Sequence, residues 1–147
     1  MIGNGLRPDV WKPFKERFRI DRVLEIYGAS EGNSGFVNAF NKDCTIGFGV
    51  SPHLVVECDP ETAEVRRDAE GHCIPVRRGE PGLLLMEIGA KAGFDGYTSR
   101  EATEKKIVRD VRSPGDAWFN TGDLVRAVDV GFAFGQTHYQ FVDRLGD

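Results

Sequence analysis

Ile26-Tyr27-Gly28-Ala29-Ser30-Glu31 is the stretch on which the fold turns. It closes the alternating run Arg22-Val23-Leu24-Glu25-Ile26-Tyr27, whose strand-forming residues predict an extended segment that Gly28 breaks. An apolar strand that ends in an aromatic, a glycine, a hydroxyl and a carboxylate reads as a site rather than a core. Standing alone it would more readily read as a strand end with a capped turn. Two further polar clusters follow in order, Trp118-Phe119-Asn120-Thr121-Gly122-Asp123-Leu124 and Phe141-Val142-Asp143-Arg144-Leu145-Gly146-Asp147. Three ordered clusters are harder to obtain by accident than one.

Outward from this strand, Pro8 to Phe18 predicts a short amphipathic helix. Pro8 suits a first helical position, and Val10, Trp11, Phe14 and Phe18 fall at helical spacing. Pro13 opposes it, so the helix is expected either to start near Lys12 or to kink. Gly32 to Gly49 is rich in Gly and Asn with weak periodicity, which predicts loops. His53 to Cys58 is extended, Asp59-Pro60-Glu61-Thr62 a turn, Val65 to Arg67 a return strand and Asp68-Ala69-Glu70-Gly71 a second turn. Leu83 to Ile88 reads as a buried strand. Ser99 to Arg109 reads as a helix capped by Ser99. Trp118 to Val128 and Phe132 to Val142 alternate, with Gly131 and Gly135 at turns. The expected class is mixed α/β: a helix-strand-loop segment over 1–50, then a mostly β, barrel-like subdomain over 51–147.

A chain of 147 residues, 40% hydrophobic and 29% charged, can bury one real core. Its formal net charge of −4 disfavours a nonspecific grip on nucleic acid, which depends on clustered Lys and Arg. No apolar run approaches the roughly 20 residues of a spanning helix, and Met1-Ile2-Gly3-Asn4-Gly5 lacks the regions of a signal peptide, so a cytoplasmic chain is the default expectation. Cys44, Cys58 and Cys73 are odd in number and irregular in spacing, which argues for reduced thiols. They do not recur with His53, His72 or His138 at zinc-ligand spacing.

Gly3-Asn4-Gly5-Leu6-Arg7-Pro8, Tyr27-Gly28-Ala29-Ser30-Glu31-Gly32-Asn33, Thr121-Gly122-Asp123-Leu124 and Asp143-Arg144-Leu145-Gly146-Asp147 together resemble the adenylate-forming superfamily, the enzymes that activate a carboxylic acid with ATP. With Phe94-Asp95-Gly96-Tyr97, they look like its fatty acid transport protein, or very-long-chain acyl-CoA synthetase, branch. The resemblance runs from Gly3 to Asp147 and implies the end of an N-terminal domain, stopping at an interdomain hinge formed by Gly146 and Asp147. It implies ATP, Mg2+ and CoA, with a long-chain fatty acid as the acyl substrate. Some members attach to membranes, a property that nothing in these residues encodes.

The site residues follow from the same resemblance. Glu31 stands where a carboxylate helps hold magnesium against the phosphates, as a hard oxygen ligand should, and Ser30 where a hydroxyl touches phosphate. Tyr27, followed by Gly28, is similar to the aromatic beside the adenine, and Gly3, Asn4 and Gly5 to the glycine-rich loop along the purine. That loop is not a GxGxxG pattern, since no strand is expected before it and a helix-opening glycine is missing. Asp123 matches the carboxylate that accepts both ribose hydroxyls, and Arg144 the arginine on the ribose and phosphate side. Alone, Tyr27 would read as a core tyrosine, and Asp123 and Arg144 as a surface charge pair. Gly32, Asn33, Ser34, Gly35 and Phe36 read either as acyl-pocket lining or as a plain loop. The Ser/Thr/Gly-rich phosphate loop and the assisting lysine of these enzymes are not seen, so the chain by itself is expected to be inactive. The alternatives are a non-catalytic nucleotide-binding module and a nonfunctional truncated product.

Overall fold

Leu83, Leu84 and Leu85 are wholly buried on both sides of one strand, and the rest of the fold is arranged to cover those two faces. The computed structural model describes residues 1–28, 35–89 and 100–145. In chain order the elements are β1 (Ile2–Gly3), α1 (Pro8–Phe18), β2 (Leu24–Gly28), β3 (Gly35–Val37), β4 (Phe48–Gly49), β5 (His53–Val56), β6 (Gly82–Glu87), α2 (Arg100–Lys105), β7 (Ile107–Arg109), β8 (Ala117–Val128) and β9 (His138–Arg144).

The first sheet runs β1-β2-β3-β4, with β1 parallel to β2 across the α1 connection and the remaining pairs antiparallel. α1 starts at Pro8 and not near Lys12, so Pro13 lies inside it. Both Pro13 and Asp9, the residue four positions back whose carbonyl loses its partner, are exposed, so water can take the missing bond. Arg19 adopts a left-handed conformation (φ 52°), and Ile20 N–H closes the helix end onto Lys15 O at 2.9 Å. Trp11, 1% exposed, anchors the helix and donates from Nε1 to Asp43 Oδ1 at 3.1 Å. Lys15 Nζ meets the same carboxylate at 2.7 Å.

The second sheet is ordered β5-β6-β8-β7, with β9 also on β8. One edge of the long strand β8 pairs β6. The other edge takes β7 at its start and β9 at its end. No closed barrel forms among the described residues. Alternation along β6 sends Leu84 and Met86 to one core, with Phe36, Ile46, Val55, Phe119 and Val125, and Leu83 and Leu85 to another, with Val56, Cys73, Val111 and Trp118. Because Phe36 and Ile46 come from the first half of the chain, the former core joins the two sheets. Backbone bonds between Ile46 N–H and Tyr139 O and between Tyr139 N–H and Gly47 O, both 2.9 Å, cross the same seam.

Several expectations need correction. The stretch predicted as loop over 32–49 contains β3 and β4. Gly35 and Gly47 serve close backbone approach: a Cβ at Gly35 would collide with Tyr27 O, and one at Gly47, where φ is +91°, with Val37 O. The predicted helix over 99–109 ends at Lys105, because β-branched Ile107 and Val108 pair with Phe119 and Trp118 as β7. Ser99, its expected cap, lies outside the described residues, as does Phe94-Asp95-Gly96-Tyr97. Val65 to Arg67 makes only isolated bridges, Cys58 with Val65 and Arg67 with Cys73. Phe132 to Thr137 forms the connection before β9 rather than its beginning, with Gly131 and Gly135 at positive φ as expected.

Candidate functional site

Glu25 and Tyr27 alternate onto one face of β2, and both side chains are put to use there. Glu25 is completely buried, and its Oε1 accepts the backbone N–H groups of Gly5 and, at 2.9 Å, Leu6. Gly3 pairs with Glu25 across the parallel ladder, and a Cβ at Gly3 would come within 2.6 Å of Oε2. The loop through Gly3, Asn4 and Gly5 is therefore cradled by a buried carboxylate on the face that carries Tyr27, and Gly5 turns at φ +91°. Sequence reasoning missed Glu25, which in an alternating strand reads as a solvent-facing charge.

The Tyr27 ring is half-buried and packs edge-on against Phe36, with centroids 5.7 Å apart. Phe36 in turn meets Tyr139 at 5.4 Å and His53 at 4.8 Å. That residue is 2% exposed, which places it in the core and not along an open acyl channel. The Tyr27 hydroxyl donates to Asp123 Oδ2 at 2.5 Å, joining residues 96 positions apart and on different sheets. Burial first, then the charge of Asp123 and its hydrogen bond, push the Tyr27 phenol far above the ordinary tyrosine range, against smaller opposing effects of Thr121 and Arg144. The phenol therefore remains a donor throughout the physiological range.

Asp123 does not lie on a turn, as the glycine before it suggests, but on a bulge within β8. Register against β6 slips between Leu83 and Leu85, and Gly122 takes φ +78° in the slipped segment. Thr121 pins the bulge by donating to Leu84 O at 2.9 Å and accepting the Asp123 N–H at 3.0 Å. Asn120 Oδ1 accepts the Gly122 N–H at 2.9 Å, and Leu145 N–H reaches Gly122 O at 2.7 Å. A second slip, between β8 and β9, leaves Val142 unpaired, so that Asp123 faces Arg144. An unbroken ladder from the Val125–Phe141 pair would instead set Asp123 against Asp143, two like charges. Arg144 Nε lies 3.7 Å from Asp123 Oδ1, with the Arg144 side chain 57% exposed and that of Asp123 8% exposed.

Tyr27, Asp123 and Arg144 thus converge, while Gly28 pairs with Gly35 at the end of β2. Ser30 and Glu31, and the hinge pair Gly146 and Asp147, lie outside the described residues. A carboxylate held by a phenol and flanked by a guanidinium can accept hydrogen bonds from vicinal hydroxyls and place a cation beside an anionic neighbour.

No family model matches the chain. In fold it is similar to adenylate-forming enzymes. An anthranilate CoA ligase solved with anthranoyl-AMP superposes with TM-score 0.58 at 18% identity, over 97% of this chain and 24% of the ligase. ATP-bound MatB from Rhodopseudomonas palustris gives 0.56 at 22% identity, over 97% of this chain and 25% of that one. Sequence narrows the relation. A medium/long-chain-fatty-acid–CoA ligase of Mycobacterium tuberculosis is 49% identical over all 147 residues, which cover 24% of its length. Human long-chain fatty acid transport protein 5 is 45% identical over 153 aligned positions, covering 99% of this chain and 21% of that protein. Its homologues are thus fatty-acid–CoA ligases and long-chain fatty acid transport proteins of the adenylate-forming superfamily, and the chain spans about a quarter of the length of these relatives.

Proposed function

We propose that this chain supplies the nucleotide-holding part of an AMP-forming fatty acyl-CoA ligase. In that reaction a fatty acid carboxylate attacks the α-phosphorus of ATP and pyrophosphate leaves. The CoA thiol then attacks the acyl carbon of the adenylate and AMP leaves. Asp123 accepts the two ribose hydroxyls, Arg144 lies toward the ribose and phosphate, and Tyr27 and the loop through Gly3, Asn4 and Gly5 flank the purine. The observation that carries this reading is the meeting of Tyr27, Asp123 and Arg144 across two sheets. Ser30 at the phosphate, Glu31 at magnesium and a hinge at Gly146 and Asp147 belong to the same proposal. A hard cation there would screen the charge of the triphosphate. The division into a segment over 1–50 and a subdomain over 51–147, and peripheral attachment to a membrane, are proposed on the family relation alone. No helix among the described residues is long and apolar enough to cross a membrane.

Asp123→Ala tests the reading. It should abolish AMP binding measured by calorimetry while the far-ultraviolet circular dichroism stays that of the folded chain. Undiminished binding would refute the ribose assignment.

A further inference from the structure

The Tyr27 hydroxyl is the part of this site that the purine-flanking role leaves unexplained. Apolar contact with a base requires a ring, and phenylalanine would supply it. Here the phenolic oxygen reaches Asp123 Oδ2 on the other sheet at 2.5 Å, and the edge-on contact with Phe36 fixes the ring in that direction. Asp123 is itself 6% exposed and carried on a bulge that the Thr121 hydroxyl pins, donating to Leu84 O and accepting the Asp123 N–H. Its backbone is thus set by β8, and the Tyr27 hydroxyl holds one oxygen of its carboxylate.

We propose that Tyr27 is a positioning residue that gives the site its selectivity for a ribose cis-diol, by holding the Asp123 carboxylate in the orientation that accepts both hydroxyls. The inference rests on the nucleotide-site reading above and deepens it. A carboxylate oxygen has about two acceptor positions, so a bond from the phenol does not by itself exhaust Oδ2. Tyr27 closes the side of Oδ2. Arg144, exposed and 3.7 Å from Oδ1, marks the side from which the sugar approaches. A carboxylate free to rotate would meet one hydroxyl well and the other poorly. Discrimination against a sugar without the diol would then fall, while contact with the base would not.

The experiment compares AMP with 2′,3′-dideoxy-AMP on the wild-type chain and on Tyr27→Phe, by calorimetry or amide chemical-shift titration. Wild type should prefer AMP. In Tyr27→Phe, AMP affinity should fall by about tenfold or more, the scale of a hydrogen bond to a charged group, while affinity for the dideoxy nucleotide should stay within about twofold of wild type. A variant that keeps the wild-type preference, or loses both nucleotides equally, overturns this inference and leaves the ribose site standing. Wild-type indifference to the diol, or no binding of either nucleotide, overturns the ribose reading and this inference with it. A measurement that needs no variant stands beside these: Asp123 Cγ in the unliganded wild-type chain should show a deuterium isotope shift traceable to the Tyr27 hydroxyl. Its absence would overturn the inference even if Tyr27→Phe failed to fold.

Discussion

Carboxylates in this chain are held by the backbone at several points, and each such hold makes a claim about pH. Asp116 accepts N–H groups from Val111 at 2.6 Å, Arg112 at 2.9 Å and Ser113 at 3.0 Å. Burial alone would raise its pKa, but the bonds from Arg112 and Val111, with help from Trp118 and Ser113, hold it below the ordinary aspartate value. The unfolded chain therefore takes up this proton first as the pH falls. The stabilisation is fully present above the unfolded pKa, about pH 4, and is lost as the pH drops through the lower folded value. Urea unfolding of wild type and Asp116→Asn should show wild type more stable at pH 7 and the gap closing toward pH 3. A gap that stays constant would contradict the assignment. Glu25 illustrates what the sequence hides at this scale. Tyr27, Asp123 and Arg144 stand out through the order of their motifs, whereas a glutamate at an alternating strand position gives no sign that two N–H groups of a remote loop will close on it.

Among the elements, those set by local rules were legible and those set by partners were not. The helix at Pro8–Phe18 followed from its apolar spacing, and the strand at Gly82–Glu87 from an unbroken apolar run buried on both faces. The short strands β3 and β4 have three and two residues, and neither would be recognised without the neighbour it pairs with. The C-terminal half of the predicted second helix became β7 because β8 offered it an edge. The bulges around Asp123 were equally hidden, since register slips leave no mark in composition. Gly122 offers the test at this scale. Its φ of +78° excludes most side chains, and a Cβ would meet Lys106 Nζ at 3.4 Å. Gly122→Ala should cost about 1–2 kcal/mol, visible as a lowered thermal midpoint, and should weaken AMP binding as Asp123 shifts. An unchanged midpoint would mean that the bulge relaxes without cost.

For the molecule as a whole, the two sheets share one core through Phe36 and Ile46, and the seam is bonded at Tyr139 and again between Tyr27 and Asp123. Two bodies so joined should unfold together. The chain has two tryptophans, Trp11 beside the first sheet and Trp118 in the second, and both are buried. Single-tryptophan variants followed by fluorescence in urea should give coincident transitions. Phe36→Ala should displace both equally, by a loss of about 3–5 kcal/mol. Separated transitions would show that the sheets fold independently, with a site that forms only on their contact.

The claim on which the rest depends is that residues from both sheets surround one sugar. Amide and side-chain resonances of the 15N-labelled chain titrated with AMP test it most directly. The account predicts that Tyr27, Asp123 and Arg144 shift together along one saturable binding curve. Shifts confined to one sheet, or no saturable shift at these three residues, would contradict it.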